Sequence, residues 1–221
     1  MSQYELVVFD WDGTLMDSTG DIVRAIQAAS QDMGFEVPDD RAAAWVIGLS
    51  LDKALEHLAP CMNERDRERY LDRYRHHYLS RDAELRLFDG VIPMLETLIA
   101  QGVTLAVATG KSRVGLNRAF EATGIGHYFA VTRCADETHG KPDPRMLFEI
   151  MDDVATSAQA VVMIGDTSHD LLMAANAGVH GLGVSYGAHP VADLLAHPHQ
   201  GIVSSVADMY DWLTPRLRGI K

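Results

Sequence analysis

The chain has 221 residues, of which 47% are hydrophobic, and this length suits either one large domain or a core domain with a smaller insert. Its formal net charge of -12, from 31 acidic and 19 basic residues, argues against sequence-independent binding of nucleic acid, because the phosphates would be repelled. No apolar run approaches the roughly 20 residues that span a bilayer, and residues 1–5 lack the features of a signal peptide. We therefore expect a cytoplasmic protein that binds neither nucleic acid nor membrane, and no pattern indicates an oligomeric state.

The N-terminal part of the chain begins with a strand and continues with helices. Residues 5–9 predict a short buried strand, and Gly13 marks a turn after it. An amphipathic helix that ends at Gly34 follows, with apolar residues at steps of four, three and four: Ile22, Ile26, Ala29 and Met33. Three further helices are expected, at residues 41–47, 51–58 and 63–80. No strand signal interrupts residues 17–84.

After residue 90 the pattern changes to an alternation of helices and short apolar strands. The predicted elements are helix 91–100, strand 103–108, helix 113–123, strand 128–132, helix 144–154, strand 160–164, helix 168–177 and strand 181–184. Such an alternation predicts a parallel sheet covered by helices on both faces. We therefore expect an α/β protein with a doubly wound, Rossmann-like parallel-sheet core of residues 1–16 plus 86–221, carrying an inserted all-helical cap at residues 17–85.

Polar residues gather at the predicted carboxyl ends of the strands, where ligands of such sheets bind. Asp10 and Asp12 follow the first strand, Thr109 precedes Gly110 at the end of the second, Asp166 and Asp170 follow a later strand, and Lys141 lies in the loop before a later helix. Asp10 and Asp12 are two residues apart, so their side chains can point to the same side of the strand end. Four carboxylates packed together would repel one another without a cation. A hard, oxygen-binding ion such as Mg2+ would resolve that conflict.

These segments resemble, in order, the four motifs of the haloacid dehalogenase-like hydrolase superfamily. FDWDGTLMDS matches the first motif, hhhhDxDGT, and LAVATG, HGKPDP and MIGDTSHD match the second, third and fourth. The match covers nearly the whole chain. A helical insert between the first and second motifs is similar to the subfamily that includes phosphoglycolate phosphatases and β-phosphoglucomutases. That resemblance implies a mobile cap, with hinges expected near residues 15–18 and 86–89.

The resemblance implies a two-step phosphoryl transfer. Asp10 would be the nucleophile that forms an aspartyl-phosphate, which splits one hard displacement into two easier ones. Asp12 would protonate the leaving alkoxide and then, as a base, activate water. Thr109 and Lys141 would hold phosphoryl oxygens, and Lys141 would also offset the charge on the nucleophile. Backbone N–H groups near Gly110 could add donors to the substrate site.

The same resemblance implies a Mg2+ site. Asp166 would ligate the ion together with Asp10 and the backbone carbonyl of Asp12. Asp170 would act as a further ligand or through a water molecule. The other interpretation of Asp170 is a first-turn acid that is favourable to the helix dipole.

Asp12, which lies two residues after the expected nucleophile, favours phosphatase activity. Dehalogenases of this superfamily lack the carboxylate that Asp12 supplies. A phosphosugar mutase of the β-phosphoglucomutase type stays an alternative, because it uses the same core residues. A phospho-accepting signalling module without turnover is disfavoured by the chain length and the helical insert. We expect a Mg2+-dependent phosphomonoester hydrolase that acts on a small phosphorylated metabolite.

The cap loop that should select the leaving group is expected at residues 47–52, which are more apolar than a second anionic group would require. Lys53, Arg24, Lys111 and Arg113 could supply a cation, although each is more typical of a solvated helix position. With those reservations, 2-phosphoglycolate is the leading candidate substrate.

Cysteine and histidine do not suggest a further site. Cys61 and Cys134 lie far apart, and we interpret both as ordinary buried or half-buried thiols rather than a disulfide. The irregular spacing of three histidines among prolines favours solvated loop residues: His189, His197 and His199. His169, inside the fourth motif, is predicted at a surface position of a helix.

Overall fold

The computed structural model describes residues 4–80 and 86–218. Its strands and helices are, in chain order, β1 (Leu6–Phe9), β2 (Met16–Asp17), α1 (Thr19–Met33), α2 (Asp40–Trp45), α3 (Leu51–Leu58), α4 (Glu64–Leu79), β3 (Arg86–Leu87), α5 (Val91–Ala100), β4 (Thr104–Thr109), α6 (Arg113–Thr123), β5 (Val131–Cys134), α7 (Arg145–Asp153), β6 (Val161–Gly165), α8 (Ser168–Asn176), β7 (His180–Val184), α9 (Val191–Leu195), β8 (Ile202–Val203) and α10 (Val206–Leu213). The α/β class expected from the alternating pattern is confirmed.

The core is a parallel sheet with strand order β5-β4-β1-β6-β7-β8. All four residues of β1 are buried, as expected for a strand covered on both faces. Val7 and Phe9 pack into one cluster with residues of α5, α6 and α10, whereas Leu6 and Val8 pack into a second cluster with residues of α7 and α8. Because the side chains of a strand alternate, this division shows helices on both faces of a doubly wound sheet.

The helices α1 to α4 form the predicted helical insert, and they have apolar clusters of their own. Ile22 and Ile26 of α1 pack with Ile47, Ala54 and Tyr78. A second cluster joins α1, α3 and α4 around three other buried side chains: Ala29, Leu55 and Tyr70. The cap therefore folds around its own interior. Its predicted limits at residues 17 and 85 stay a prediction, and residues 81–85 lie outside the described residues.

Several short elements were not predicted from the sequence. Met16–Asp17 and Arg86–Leu87 pair as a two-stranded antiparallel ribbon, located where the cap leaves and rejoins the core. Strand β8 and helices α9 and α10 were also missed, because segments of two to eight residues show little periodicity. Strand β5 begins at Val131 rather than at residue 128, since Gly126–Tyr128 form a 3-10 turn.

The structure bears on two predictions made from composition. Cys134 is buried, but the prediction that Cys61 is at least half-buried is wrong, because it lies exposed in the loop between α3 and α4. Both cysteines are free thiols. Among residues 4–80 and 86–218, no helix combines the length and the apolar character that a membrane crossing requires.

Candidate active site

Three carboxylates converge at the carboxyl end of the sheet. Asp10 follows β1, whereas Asp166 follows the adjacent strand β6 and Asp170 lies in the first turn of α8. One carboxylate oxygen from each lies within 4.8 Å of the others, and all three residues are buried. The sheet order explains this convergence, because β1 and β6 are neighbouring parallel strands and end at the same edge.

A single buried lysine faces this cluster. Lys141 Nζ lies 2.7 Å from Asp10 Oδ1 and 2.7 Å from Asp170 Oδ1. Burial, opposed by Lys141 and reinforced by the neighbouring carboxylates, raises the pKa of Asp10 well above its usual range. Burial and the Asp170 charge likewise raise the pKa of Asp166 to about 7. The Lys141 ammonium thus supplies one positive charge against the three carboxylates of the cluster.

The cluster fits a divalent cation. Among the described residues no hydrogen-bond donor reaches Asp10 Oδ2, although this atom is buried. Mg2+ prefers carboxylate oxygens, and its two charges would balance the excess that the Lys141 ammonium leaves. The residues that could hold it are Asp10, Asp166 and Asp170.

The outer oxygens of the cluster are fixed by neighbouring groups. Asp166 accepts hydrogen bonds from Thr14 Oγ1 at 2.8 Å and from the backbone N–H of Ala188 at 2.7 Å. Asp170 Oδ2 accepts from Thr167 Oγ1 at 2.7 Å and from its N–H at 3.1 Å, which completes a capping box. Asp170 is thus part of a helix cap with one oxygen, as the first-turn interpretation expects, and a partner of Lys141 with the other, whereas its role as a metal ligand stays a prediction.

Asp12 lies apart from the three clustered carboxylates. Its Oδ1 accepts a hydrogen bond from Ser18 Oγ at 2.6 Å, and Lys111 Nζ lies 3.0 Å from its carboxylate. A metal contact through its backbone carbonyl stays a prediction. The side-chain contacts hold the Asp12 carboxyl in one orientation, at the wall of a cavity that Asp10 also lines.

The expectation that Lys111 and Lys53 are solvated helix residues is wrong. Lys111 Nζ donates to Asp12 and, at 3.1 Å, to the Tyr78 hydroxyl of the cap. Burial opposes its charge, but Asp12 and the cap tyrosines outweigh burial and raise the pKa of Lys111. Lys53 donates from the cap to the backbone carbonyls of Gly140 and Lys141, at 2.9 and 3.2 Å. Both lysines thus connect the cap to the core.

Thr109 ends β4 and Gly110 follows it, at the strand next to the one that Asp10 follows. Thr109 is buried, and its Oγ1 accepts a hydrogen bond from the backbone N–H of Lys111 at 3.2 Å. A Cβ at Gly110 would lie 2.5 Å from the carbonyl oxygens of both Gly48 and Leu49. Only glycine therefore allows the cap loop to pack this closely on the second motif.

Two histidines form another contact between the core and the cap, so their predicted solvation is also wrong. The Nε2 atoms of His169 and His189 lie 2.9 and 3.0 Å from the carbonyl oxygen of Trp45, and both rings are buried. The backbone N–H of Ser168 donates to His189 Nδ1 at 3.1 Å. Burial lowers the pKa of His169 to about 4 and also lowers that of His189. Neutral rings therefore donate to Trp45, whereas the remaining two loop histidines, His197 and His199, are half-buried.

A cavity of about 510 Å³ lies between the core and the cap. Asp10, Asp12 and Thr109 contribute to the core side, and helices α1, α3 and α4 line the cap side. Lys141 and Asp166 lie behind Asp10 rather than in the lining. The cavity therefore gives a small molecule access to Asp10 and Asp12 together.

The family model for a haloacid dehalogenase-like hydrolase matches residues 7–184. The chain is 37% identical over 210 residues to the "Probable phosphatase IndB" of Dickeya dadantii, which covers 92% of this chain and 91% of that protein. It is 29% identical over 218 residues to a phosphoglycolate phosphatase of Agrobacterium fabrum, with coverage of 96% and 91%. Its fold is that of a hydrolase from Pseudomonas syringae, with a TM-score of 0.89, 20% identity and coverage of 97% and 100%. The chain therefore belongs to the haloacid dehalogenase-like hydrolases, in the phosphoglycolate phosphatase-like group with an inserted helical cap.

Proposed function

We propose that this protein is a Mg2+-dependent phosphomonoester hydrolase that transfers the phosphoryl group of a small metabolite to Asp10 and then to water. The main support for this proposal is that Asp10 belongs both to the carboxylate cluster and to the lining of the cavity. Its carboxylate belongs to a buried cluster that fits a divalent cation, and the same residue lines the cavity of about 510 Å³ between the core and the cap.

The side chains around Asp10 support this chemistry. Lys141, 2.7 Å from Asp10, would favour the ionised carboxylate together with the bound cation and offset negative charge as Asp10 approaches the phosphate. Asp12 would donate a proton to the leaving alkoxide and later take one from water. Ser18 and Lys111 would hold Asp12 in place for both steps. Bound Mg2+ would neutralise phosphoryl oxygens and orient them towards Asp10.

Hydrolysis is better supported than the mutase alternative. A phosphosugar mutase needs polar groups on the cap for sugar hydroxyls and for a second phosphate. The cap wall of the cavity is mostly aliphatic and tyrosine side chains. 2-Phosphoglycolate, which the sequence suggests and for which the Agrobacterium relative is named, is the reference substrate against which others should be compared.

Removal of divalent metal should abolish activity and lower stability. With Mg2+ at about 100 times its Kd we expect a gain of about 2.7 kcal/mol in the free energy of unfolding. Phosphate release from a panel of phosphorylated metabolites should occur with Mg2+ and stop with EDTA. Asp166→Asn should lose most of the stability gain, whereas Asp17→Asn, a change at an exposed carboxylate near the first motif, should keep it. Turnover that continues in EDTA would contradict the proposed metal dependence.

Gly110→Ala should slow catalysis while the protein stays folded. Its new methyl group would displace the Gly48 and Leu49 carbonyls, so the cap could not pack in its present position. We expect kcat/KM to fall by about 10²-fold, the typical effect of a misplacement of about 1 Å. Gly20→Ala is the matched control, because it lies on the exposed face of α1 next to the flexible Arg24 side chain. Equal activity of both variants would show that the Gly48–Leu49 contact is dispensable.

A further inference from the structure

The cap side of the cavity is mostly apolar, which does not suit a leaving alcohol that carries a charge. Its wall is built by aliphatic side chains of α1, α3 and α4, among them Ile22, Ile26, Leu51, Leu55, Leu58 and Leu71. Tyr74 and Tyr78 add two stacked rings, with centroids 5.9 Å apart and an interplanar angle of 16°. A carboxylate or second phosphate placed against the side chains of α1 and α3 would lose its hydration without gaining a partner.

The cations proposed from the sequence do not supply that partner. Lys53 binds backbone carbonyls behind the cavity, and Arg24 pairs with Asp21 on the outside of α1. Arg113 is paired with Glu137 on the core. Lys111 does line the cavity, but its ammonium is held between Asp12 and Tyr78.

Two further arginines line the cavity, Arg75 on α4 of the cap and Arg118 on the core. Arg75 is exposed and pairs with Asp72, with Nη1 3.2 Å from Oδ1. Arg118 belongs to α6 of the core, one turn after Val114. Among the lining residues that the structure describes, those of α1 and α3 are all uncharged, and the charged one that α4 adds is Arg75, which is paired with Asp72.

The lining also includes large apolar side chains that are exposed to solvent. Val114 of α6 is 75% exposed and Leu79 at the end of α4 is 39% exposed. A bound apolar group would remove part of this surface from water, which is favourable in proportion to the area covered. The volume of about 510 Å³ falls in the range of roughly 300–1,000 Å³ typical of pockets for ligands larger than a two-carbon acid.

We infer that the alcohol released by this enzyme is uncharged and largely apolar, of the size of a branched or aromatic group, and that it binds against α1, α3 and α4. The inference rests on the proposed phosphomonoesterase activity and specifies its substrate class. The phosphate end would meet Asp10 and Thr109, and the apolar end would meet the aliphatic wall and the rings of Tyr74 and Tyr78. 2-Phosphoglycolate, which has a carboxylate at that end, would then be a poor substrate.

A series of esters of unactivated alcohols tests the inference with the wild-type protein and Mg2+. We expect kcat/KM to rise roughly fourfold for each methylene buried along methyl, n-propyl and n-pentyl phosphate. Benzyl phosphate and 2-phosphoglycolate both release a primary alcohol, so their leaving groups are comparable. We expect kcat/KM for benzyl phosphate to be higher by about tenfold or more. If none of these esters releases phosphate, the proposed function itself is overturned. Equal kcat/KM along the alkyl series, or a preference for 2-phosphoglycolate, would overturn this inference alone.

Two surface variants locate the effect in the cavity. Leu79→Lys and Val114→Lys change exposed side chains and should fold, and each should lower the ratio of kcat/KM for n-pentyl over methyl phosphate by about fivefold. Ile99→Lys is the matched control, because Ile99 is 41% exposed near the end of α5 and does not line the cavity. The ratio in Ile99→Lys should equal that of the wild type. An unchanged ratio in both cavity variants would overturn the inference.

Discussion

Asp10→Asn is expected to reduce the turnover of p-nitrophenyl phosphate with Mg2+ by more than about 10⁴-fold, as for the loss of other catalytic nucleophiles. The asparagine amide has nearly the size of the carboxylate but cannot attack phosphorus or form an acyl phosphate. The rate should be measured from p-nitrophenolate release, with electrospray mass spectrometry to look for a phosphorylated protein. Only the wild type should gain the mass of a phosphoryl group.

The Asp10→Asn variant should fold, so its inactivity can be assigned to chemistry. Burial and the neighbouring carboxylates oppose the charge of Asp10, and its removal should therefore not lower the unfolding temperature in EDTA. Asp17→Asn, at an exposed position of β2, is the control for loss of an acid near the first motif. Undiminished turnover in Asp10→Asn would refute the proposed nucleophile.

The sequence predicts the sheet well because its strands are buried on both faces. β1, β4 and β6 are continuous apolar runs, and each is followed by polar residues that contribute to the site. The pairing order could not be predicted from local pattern, yet it determines the geometry. β1 lies between β4 and β6, so the residues that follow these three strands meet at one edge.

The contacts between cap and core were not predictable in the same way. Trp45 is 124 residues from His169 and 144 from His189, and no spacing in the sequence connects them. The pairing of Lys111 with Tyr78 depends on how α4 packs over the second motif. A motif identifies residues that act together within one edge of the sheet, whereas a cap contact depends on the packing of two separately built surfaces.

One signal in the sequence did indicate the apolar cap wall. Residues 47–52 contain few polar side chains, and in the structure the loop and the start of α3 line the cavity. What the sequence could not show is that two of the four candidate cations, Lys53 and Arg113, are directed elsewhere. Their partners, such as Glu137 for Arg113 and the Gly140 carbonyl for Lys53, lie in distant parts of the chain.

Lys141→Met is expected to lower the free energy of unfolding in EDTA by about 3–5 kcal/mol, the usual effect of removing one partner from a buried ion pair. The ammonium is fully buried between Asp10 and Asp170, so its loss leaves carboxylates without a nearby positive charge. Urea unfolding at neutral pH measures the change. Lys53→Met is the matched control, and it should cost only about 1–3 kcal/mol, since it removes hydrogen bonds to two backbone carbonyls and leaves no acid unpaired.

Mg2+ should restore part of the stability of Lys141→Met, because the ion supplies positive charge to the same carboxylates. Activity should stay at least about 10²-fold below the wild type, since the group that offsets charge on Asp10 during attack is still missing. This separation of stability from rate distinguishes Lys141 from a residue that only supports the fold. A variant that Mg2+ returned to full activity would show that Lys141 balances charge in the resting protein and has no part in phosphoryl transfer.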